Sequence, residues 1–203
     1  MKRIVKDPHT RRAEIISAAG ELFRNQGYVH TSVESIIQKV GVAKGTFYYY
    51  FKSKEEILDA FVHSMVDQLC EEYQRIADNP ALGVMDKVRH MLRGQSRIAE
   101  QESEWLDSLH RPENRELHER VNIAIVLKIA PVLAQVIEQG NQESVFQVEN
   151  ALETVQFLLA GSQFLLESGL FDWNRDEQQK RMQTMQIIIE RSLGAKPGSF
   201  SFL

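Results

Sequence analysis

Residues 31–58 read TSVESIIQKVGVAKGTFYYYFKSKEEIL, and this stretch decides the fold. Thr31 has a hydroxyl able to accept a backbone N–H, and Glu34 follows three residues on, a capping-box spacing that predicts a helix starting at Thr31. Val33, Ile36, Ile37 and Val40 give that helix one apolar face. Gly41, Val42 and Ala43 make a tight turn into a short third helix that ends near Phe51. Ser53 with Glu56 repeats the capping box and opens a long fourth helix to about Asp78. Upstream, Ile15, Ile16, Ala19, Leu22 and Phe23 line one face of a helix over about 10–26, and Gly27 stands where a left-handed C-cap belongs. Two short helices joined by a three-residue turn with a glycine outline a helix-turn-helix.

On a helical wheel of the third helix, Phe47, Tyr50 and Phe51 share one side, while Gly45, Thr46, Tyr48 and Tyr49 lie around the other. The first set can anchor the helix. The second would stand exposed, two tyrosines beside a glycine with Lys44, Lys52 and Lys54 on its flanks. Tyrosine hydroxyls and lysines reach phosphates, and a glycine lets backbone approach a groove wall, so this face suits duplex DNA. Charge agrees. The chain of 203 residues has a net charge of −4, but residues 1–54 hold ten Lys/Arg against four Asp/Glu (+6), and residues 55–203 hold 14 against 24 (−10). A basic head on an acidic body points to a polyanion-binding module joined to something else.

The segment 31–58 resembles the DNA-binding signature of the TetR family of bacterial transcriptional regulators, with the match running over about 10–58. Turn glycine, Lys-Gly-Thr, the aromatic run and Phe-Lys-Ser-Lys-Glu all fall in register. The resemblance implies an all-α chain: a three-helix DNA-binding head (1–54), then a six-helix effector-binding and dimerisation body (55–203). It further implies that Thr31 and Ser32 hold a phosphate, that Lys44, Gly45, Thr46 and Tyr49 face base edges or adjoining backbone, and that Tyr48 and Lys54 contact phosphates. Ala43 stands where the family often has serine, so the third helix lacks a side-chain N-cap. Lys2, Arg3 and Lys6 form an arm that either lies along DNA or is simply solvated.

A single short recognition helix gives little specificity, so two copies reading two half-sites are expected. The span from about 148 to 170 is apolar nearly all round, and a last helix over about 175–193 brings further Met and Ile. Candidate homodimer contacts are Leu152, Val155, Leu159, Met182, Met185 and Ile189, and the resemblance implies a four-helix bundle of these helices with their mates. Between them come a fifth helix (about 82–101), a short sixth (about 104–110) and a seventh (about 112–139), which Pro131 should kink near Leu127. In the family the effector cavity lies among helices four to seven. Candidate lining residues are Phe61, Met65, Leu69, Tyr73, Val88 and Met91, with Leu92, Trp105, Leu109, His110, Val121 and Ile125, for a small, largely apolar effector.

The six histidines show no HExxH or i, i+4 pairing, and no glycine-rich phosphate loop occurs, so no catalytic, cofactor or metal residues are assigned. Lone Cys70 excludes an internal disulfide and reads as a small core residue. The opening residues carry no apolar leader and no run of about 18 apolar residues is evident, which suggests a cytoplasmic chain without membrane association. The reading is a homodimeric regulator, which the resemblance implies is a repressor, released from a palindromic operator by its effector. A constitutive DNA-binding dimer without an effector, and an enzyme or carrier on the same fold, remain alternatives.

Overall fold

The computed structural model describes residues 7–101, 108–166, 171 and 173–202, and for 93–101 the backbone alone. The fold is all-α. Among the described residues are eight α-helices: α1 (Pro8–Gln26), α2 (Val33–Val40), α3 (Lys44–Tyr50), α4 (Lys54–Ala77), α5 (Val84–Gln101), α6 (Arg115–Gln142), α7 (Ala151–Leu166) and α8 (Arg175–Ser192), with a 3-10 turn at Pro112–Asn114. The arm residues Lys2, Arg3 and Lys6, the candidate Trp105 and most of the expected sixth helix lie outside the described residues.

Two compact units result, Met1–Met65 with Glu104–Val121, and Val66–Ser103 with Asn122–Leu203. The sequence division at residue 54 thus differs from the spatial one, because the first unit also takes part of α4 and a segment from the middle of the chain.

In the first unit the Asp7 carboxylate caps α1 by accepting the Thr10 N–H at 3.1 Å. Ile15, Ile16, Ala19 and Phe23 are buried along one face, whereas Leu22 is only half-buried. Gly27 is not the expected left-handed cap: φ is +85° but ψ is 154°, and its N–H closes on the Phe23 carbonyl at 3.1 Å. A Cβ there would lie 2.6 Å from the Glu113 Cβ, so the position needs glycine for close approach as well as for φ.

The start of α2 also corrects the sequence reading. The N-cap is Ser32, not Thr31, and its box partner is Ser35, not Glu34: Ser32 Oγ accepts the Ser35 N–H at 3.0 Å and Ser35 Oγ accepts the Ser32 N–H at 3.1 Å. Thr31 is buried (2% exposed) and donates its hydroxyl to the Gly27 carbonyl at 2.7 Å, tying off the loop between α1 and α2. Gly41 ends α2 in the left-handed region (φ 71°, ψ 38°) and turns the chain into α3. At α4, Ser53 Oγ accepts the Glu56 N–H, but the Glu56 carboxylate reaches the Lys52 N–H at 2.7 Å rather than that of Ser53.

In the second unit, the buried Tyr73 hydroxyl donates to the Met91 carbonyl at 2.7 Å. Lys87, also buried, donates to the last carbonyl of α4, at Ala77 (2.5 Å), and to Gln139 Oε1 (2.8 Å). A buried cation at the carbonyl end of a helix meets both its charge and its hydrogen-bond requirements there. Phe200 packs on Phe146, and the Glu190 carboxylate accepts the Phe200 N–H at 3.1 Å, which pins the residues after α8.

Pro131 lies inside α6, which continues through it as one helix of 28 residues. Contrary to the sequence expectation, the stretch Pro112–Gln142 is long and apolar enough by composition to cross a membrane, yet half of its most apolar window is buried inside the protein. That is the behaviour of a core helix, with Leu117, Ile129, Ala130 and Val136 among its buried residues.

As the sequence predicts, Ala43 occupies the N-cap of α3 without a side-chain hydrogen bond, in extended geometry (φ −69°, ψ 147°). Ala43→Ser should therefore stabilise the fold by about 1 kcal/mol. Thermal or urea unfolding of the two proteins checks this, and an unchanged midpoint would contradict it.

Candidate nucleic-acid interface

α3 has seven residues and can bury one stripe. Phe47 and Phe51 fill it completely, and the Arg12 guanidinium covers the Phe51 ring at 4.9 Å. The same rotation turns Tyr49 (78% exposed) and Tyr48 (44% exposed) outward. Lys44 and Gly45 are exposed, Thr46 is half-buried, and a Cβ at Gly45 would meet nothing within 4 Å. Lys44 is held only loosely, its ammonium 3.7 Å from the exposed Glu34 carboxylate and 5.9 Å from the centre of the Tyr48 ring. Such an exposed ion pair is worth little and yields readily to a phosphate. Ser32 is exposed at the N-terminus of α2, where first-turn N–H groups and the hydroxyl proton remain available to an anion. Ser32, Lys44, Gly45, Thr46, Tyr48 and Tyr49 are thus brought into one head with usable groups.

Two candidates from the sequence do not fit that surface. Thr31 is buried with its hydroxyl and N–H both spent, the latter on the Tyr28 carbonyl at 3.1 Å. Lys54 turns inward: its ammonium donates to the Tyr28 carbonyl at 3.0 Å and lies 4.1 Å from the centre of the Tyr28 ring. A half-buried lysine that satisfies a loop carbonyl and a ring face holds the fold rather than a phosphate. The Tyr28 hydroxyl itself is buried without a hydrogen bond, and burial, with the Glu116 and Glu55 carboxylates behind it, pushes the phenol up to about 12.

The candidate lining residues divide between the units. Phe61, Met65, Leu109, His110 and Val121 belong to the first; Leu69, Tyr73, Val88, Met91, Leu92 and Ile125 belong to the second. Phe61 is committed to α1, edge-on to Phe23 at 5.9 Å, and the Tyr73 hydroxyl is spent on Met91. His110 lies 5.0 Å, ring to ring, from His118.

Of the candidate dimer contacts, Val155 is buried within its own unit, which removes it from an intermolecular surface. Met182 is exposed, and Leu152, Leu159, Met185 and Ile189 are half-buried. The most exposed apolar side chains of α7 and α8 are Phe157 (80%), Phe164, Leu165, Ile187 and Ile188; they lie on the two helices expected to pair but outside the six residues selected from the sequence. The signal was present in their spacing but hidden, because an all-round apolar helix does not say which side faces out.

The profile of bacterial regulatory proteins of the tetR family matches residues 15–61, and that of the tetracyclin repressor-like C-terminal domain matches 97–188. The chain belongs to the TetR family. The HTH-type transcriptional repressor KstR2 of Mycobacterium tuberculosis is 32% identical over 81 residues, 40% of this chain and 40% of that repressor's own length. The HTH-type transcriptional regulator YfiR of Bacillus subtilis is 25% identical over 195 residues, 91% of this chain and 93% of its own. A TetR/AcrR-family regulator from Thermobifida fusca superposes with a TM-score of 0.57 at 26% identity, covering 89% of this chain and 97% of its own. The all-α fold with an N-terminal helix-turn-helix is accordingly that of the TetR family.

Burial, with the neighbouring His110 second, pushes the His118 imidazole of this TetR-family chain down to about 4 from 6.5. Between these values the unfolded chain takes up a proton that the folded one refuses, so stability should fall as pH drops from 6.5 toward 4. In urea titrations across that window, His118→Asn should flatten the slope, and an unaltered slope would contradict the assignment.

Proposed function

We propose that this chain is a homodimeric DNA-binding transcriptional repressor, released from a palindromic operator by a small, largely apolar effector. The observation that carries the reading is the outward face of α3. Two tyrosines stand in water beside Lys44 and Gly45 while their neighbours Phe47 and Phe51 are fully buried. An aromatic surface of this kind at the tip of a helix-turn-helix, on a head of net charge +6, suits the major groove and its phosphates. Ser32 and the first turn of α2 would hold the backbone phosphate, Lys44, Gly45, Thr46 and Tyr49 would meet base edges or adjoining backbone, and Tyr48 would hold a further phosphate.

A homodimer is supported by the exposed apolar row of α7 and α8, Phe157, Phe164, Leu165, Met182, Ile187 and Ile188. A two-fold axis places the same row on itself, as an isologous interface requires, and brings two α3 helices to two half-sites. The membership of the family and the name of the KstR2 repressor support repression as the outcome. The apolar character of the effector is supported by Leu69, Met91, Leu92 and Ile125 of the second unit, among which the unbranched Met91 adapts to varied apolar shapes. An effector that favours the released state by about 1–3 kcal/mol suffices to switch occupancy.

Selection of bound sequences from random duplexes, followed by gel-shift titration, tests the reading. Tyr49→Ala and Lys44→Ala should each weaken binding to the selected duplex roughly tenfold, about 1.4 kcal/mol, with helicity and dimer unchanged. Failure of the wild-type protein to retain any duplex at low salt, or a monomer by light scattering, would overturn it.

A further inference from the structure

The segment ahead of α6 reaches back about 86 residues in sequence to hold the loop between α1 and α2. Its instrument is Asn114, fully buried, whose side-chain carbonyl accepts the Tyr28 N–H at 2.7 Å. The same amide donates to the Phe23 carbonyl at 3.2 Å and to the Ser108 carbonyl at 2.8 Å. One residue earlier, the Glu113 carbonyl accepts the Val29 N–H at 3.0 Å, and the Glu113 Cβ closes against the bare Cα of Gly27. Three consecutive residues of the loop, 27–29, are therefore moored by two residues of a distant segment.

What the loop carries makes this mooring matter. Gly27 accepts the Thr31 hydroxyl and Tyr28 accepts the Thr31 N–H, so the moored residues fix Thr31, and Thr31 leads directly into Ser32, the N-cap of α2. We infer that Asn114 is a positioning residue for DNA binding: it sets the phosphate-facing end of α2 through Tyr28 and Thr31, from outside the helix-turn-helix. The inference rests on the regulator reading above and deepens it. The third bond of Asn114 ends on Ser108, which precedes Leu109 and His110, two of the proposed effector-lining residues. One amide thus ties the backbone next to the proposed lining to the backbone that orients Ser32. A displacement of residues 108–114 must either carry the loop with it or break bonds in a buried place, where unpaired N–H and C=O groups are costly.

Asn114→Leu is the informative variant, because leucine matches asparagine in branching and fills the space while offering no hydrogen bond. Asn114→Ser, too short to bridge and without the added apolar bulk, carries the test should the leucine variant not fold. Each is compared with the wild-type protein as a folded dimer of matched helicity, using the duplex that the wild-type protein retains from a random-sequence pool. The expected result is a roughly tenfold loss of affinity for that duplex, with the dimer unchanged. Amide hydrogen exchange should accelerate at Tyr28 and Val29 but not at Gly41 or Phe51, whose N–H groups close α2 and α3. Affinity within twofold of wild type, or exchange that accelerates evenly through α1–α3, would overturn the inference and leave only a generic stabilising role. A pool from which the wild-type protein itself retains nothing would overturn the regulator reading, and is distinguishable because no variant enters that comparison.

Discussion

Phe47, inside the seven-residue α3, and Phe51, its extended C-cap, lie four residues apart, and the rest of the head depends on burying both. A helix this short is not stable in isolation, and α3 lacks even a side-chain N-cap at Ala43. Its persistence comes from the two rings, fully out of water, with the Arg12 guanidinium laid over the second. Truncating a buried phenylalanine of this kind costs about 3–5 kcal/mol, more than any other single contact of α3 supplies. Once that stripe is fixed, the 100° step of the helix turns Gly45, Tyr48 and Tyr49 away from the core, and Lys44 is exposed as the first residue of α3. The proposed reading surface is the remainder of a packing solution.

Around this apolar anchor the chain uses buried polar side chains to fasten backbone that regular structure does not reach. Thr31 ties the loop after α1 to itself, Asn114 ties it to the start of α6, and Lys54 binds the Tyr28 carbonyl from the first turn of α4. In the second unit Lys87 does the same for the last carbonyl of α4. Each of these groups is satisfied, as burial in a low-dielectric interior demands. Among the described residues the Tyr28 hydroxyl and the Trp173 indole N–H are buried without a hydrogen bond, and the Tyr28 phenol is held neutral far above physiological pH. These fastenings concentrate on the loop that delivers Ser32 and on the two ends of α4.

Local chemistry explains what the sequence disclosed. Gly41, uncapped Ala43, the Phe47/Phe51 stripe and the outward tyrosines follow from spacing and side-chain type, and the structure places them as expected. The errors arise where two residues satisfy one local rule and tertiary contact chooses between them. Thr31 and Ser32 both offer an N-cap hydroxyl, and the demand of the Gly27 carbonyl for a donor consigns Thr31 to the interior. Lys54 reads as one more surface cation until Tyr28 comes within reach. Asn114 gives no signal in the helix-turn-helix segment, since the partners it holds there, Tyr28 and Phe23, are 86 and 91 residues away. On α7, composition announces an apolar helix but not that Val155 turns in while Phe157 turns out.

The central claim is that two outward α3 faces, one per subunit, enter successive major grooves of one duplex. Hydroxyl-radical footprinting on a selected duplex tests it most directly. The account predicts two protected patches on one face of the DNA, related by two-fold symmetry and centred one helical turn, about 34–36 Å, or a whole multiple of it apart. A single patch, or protection spread evenly along the duplex, would contradict it.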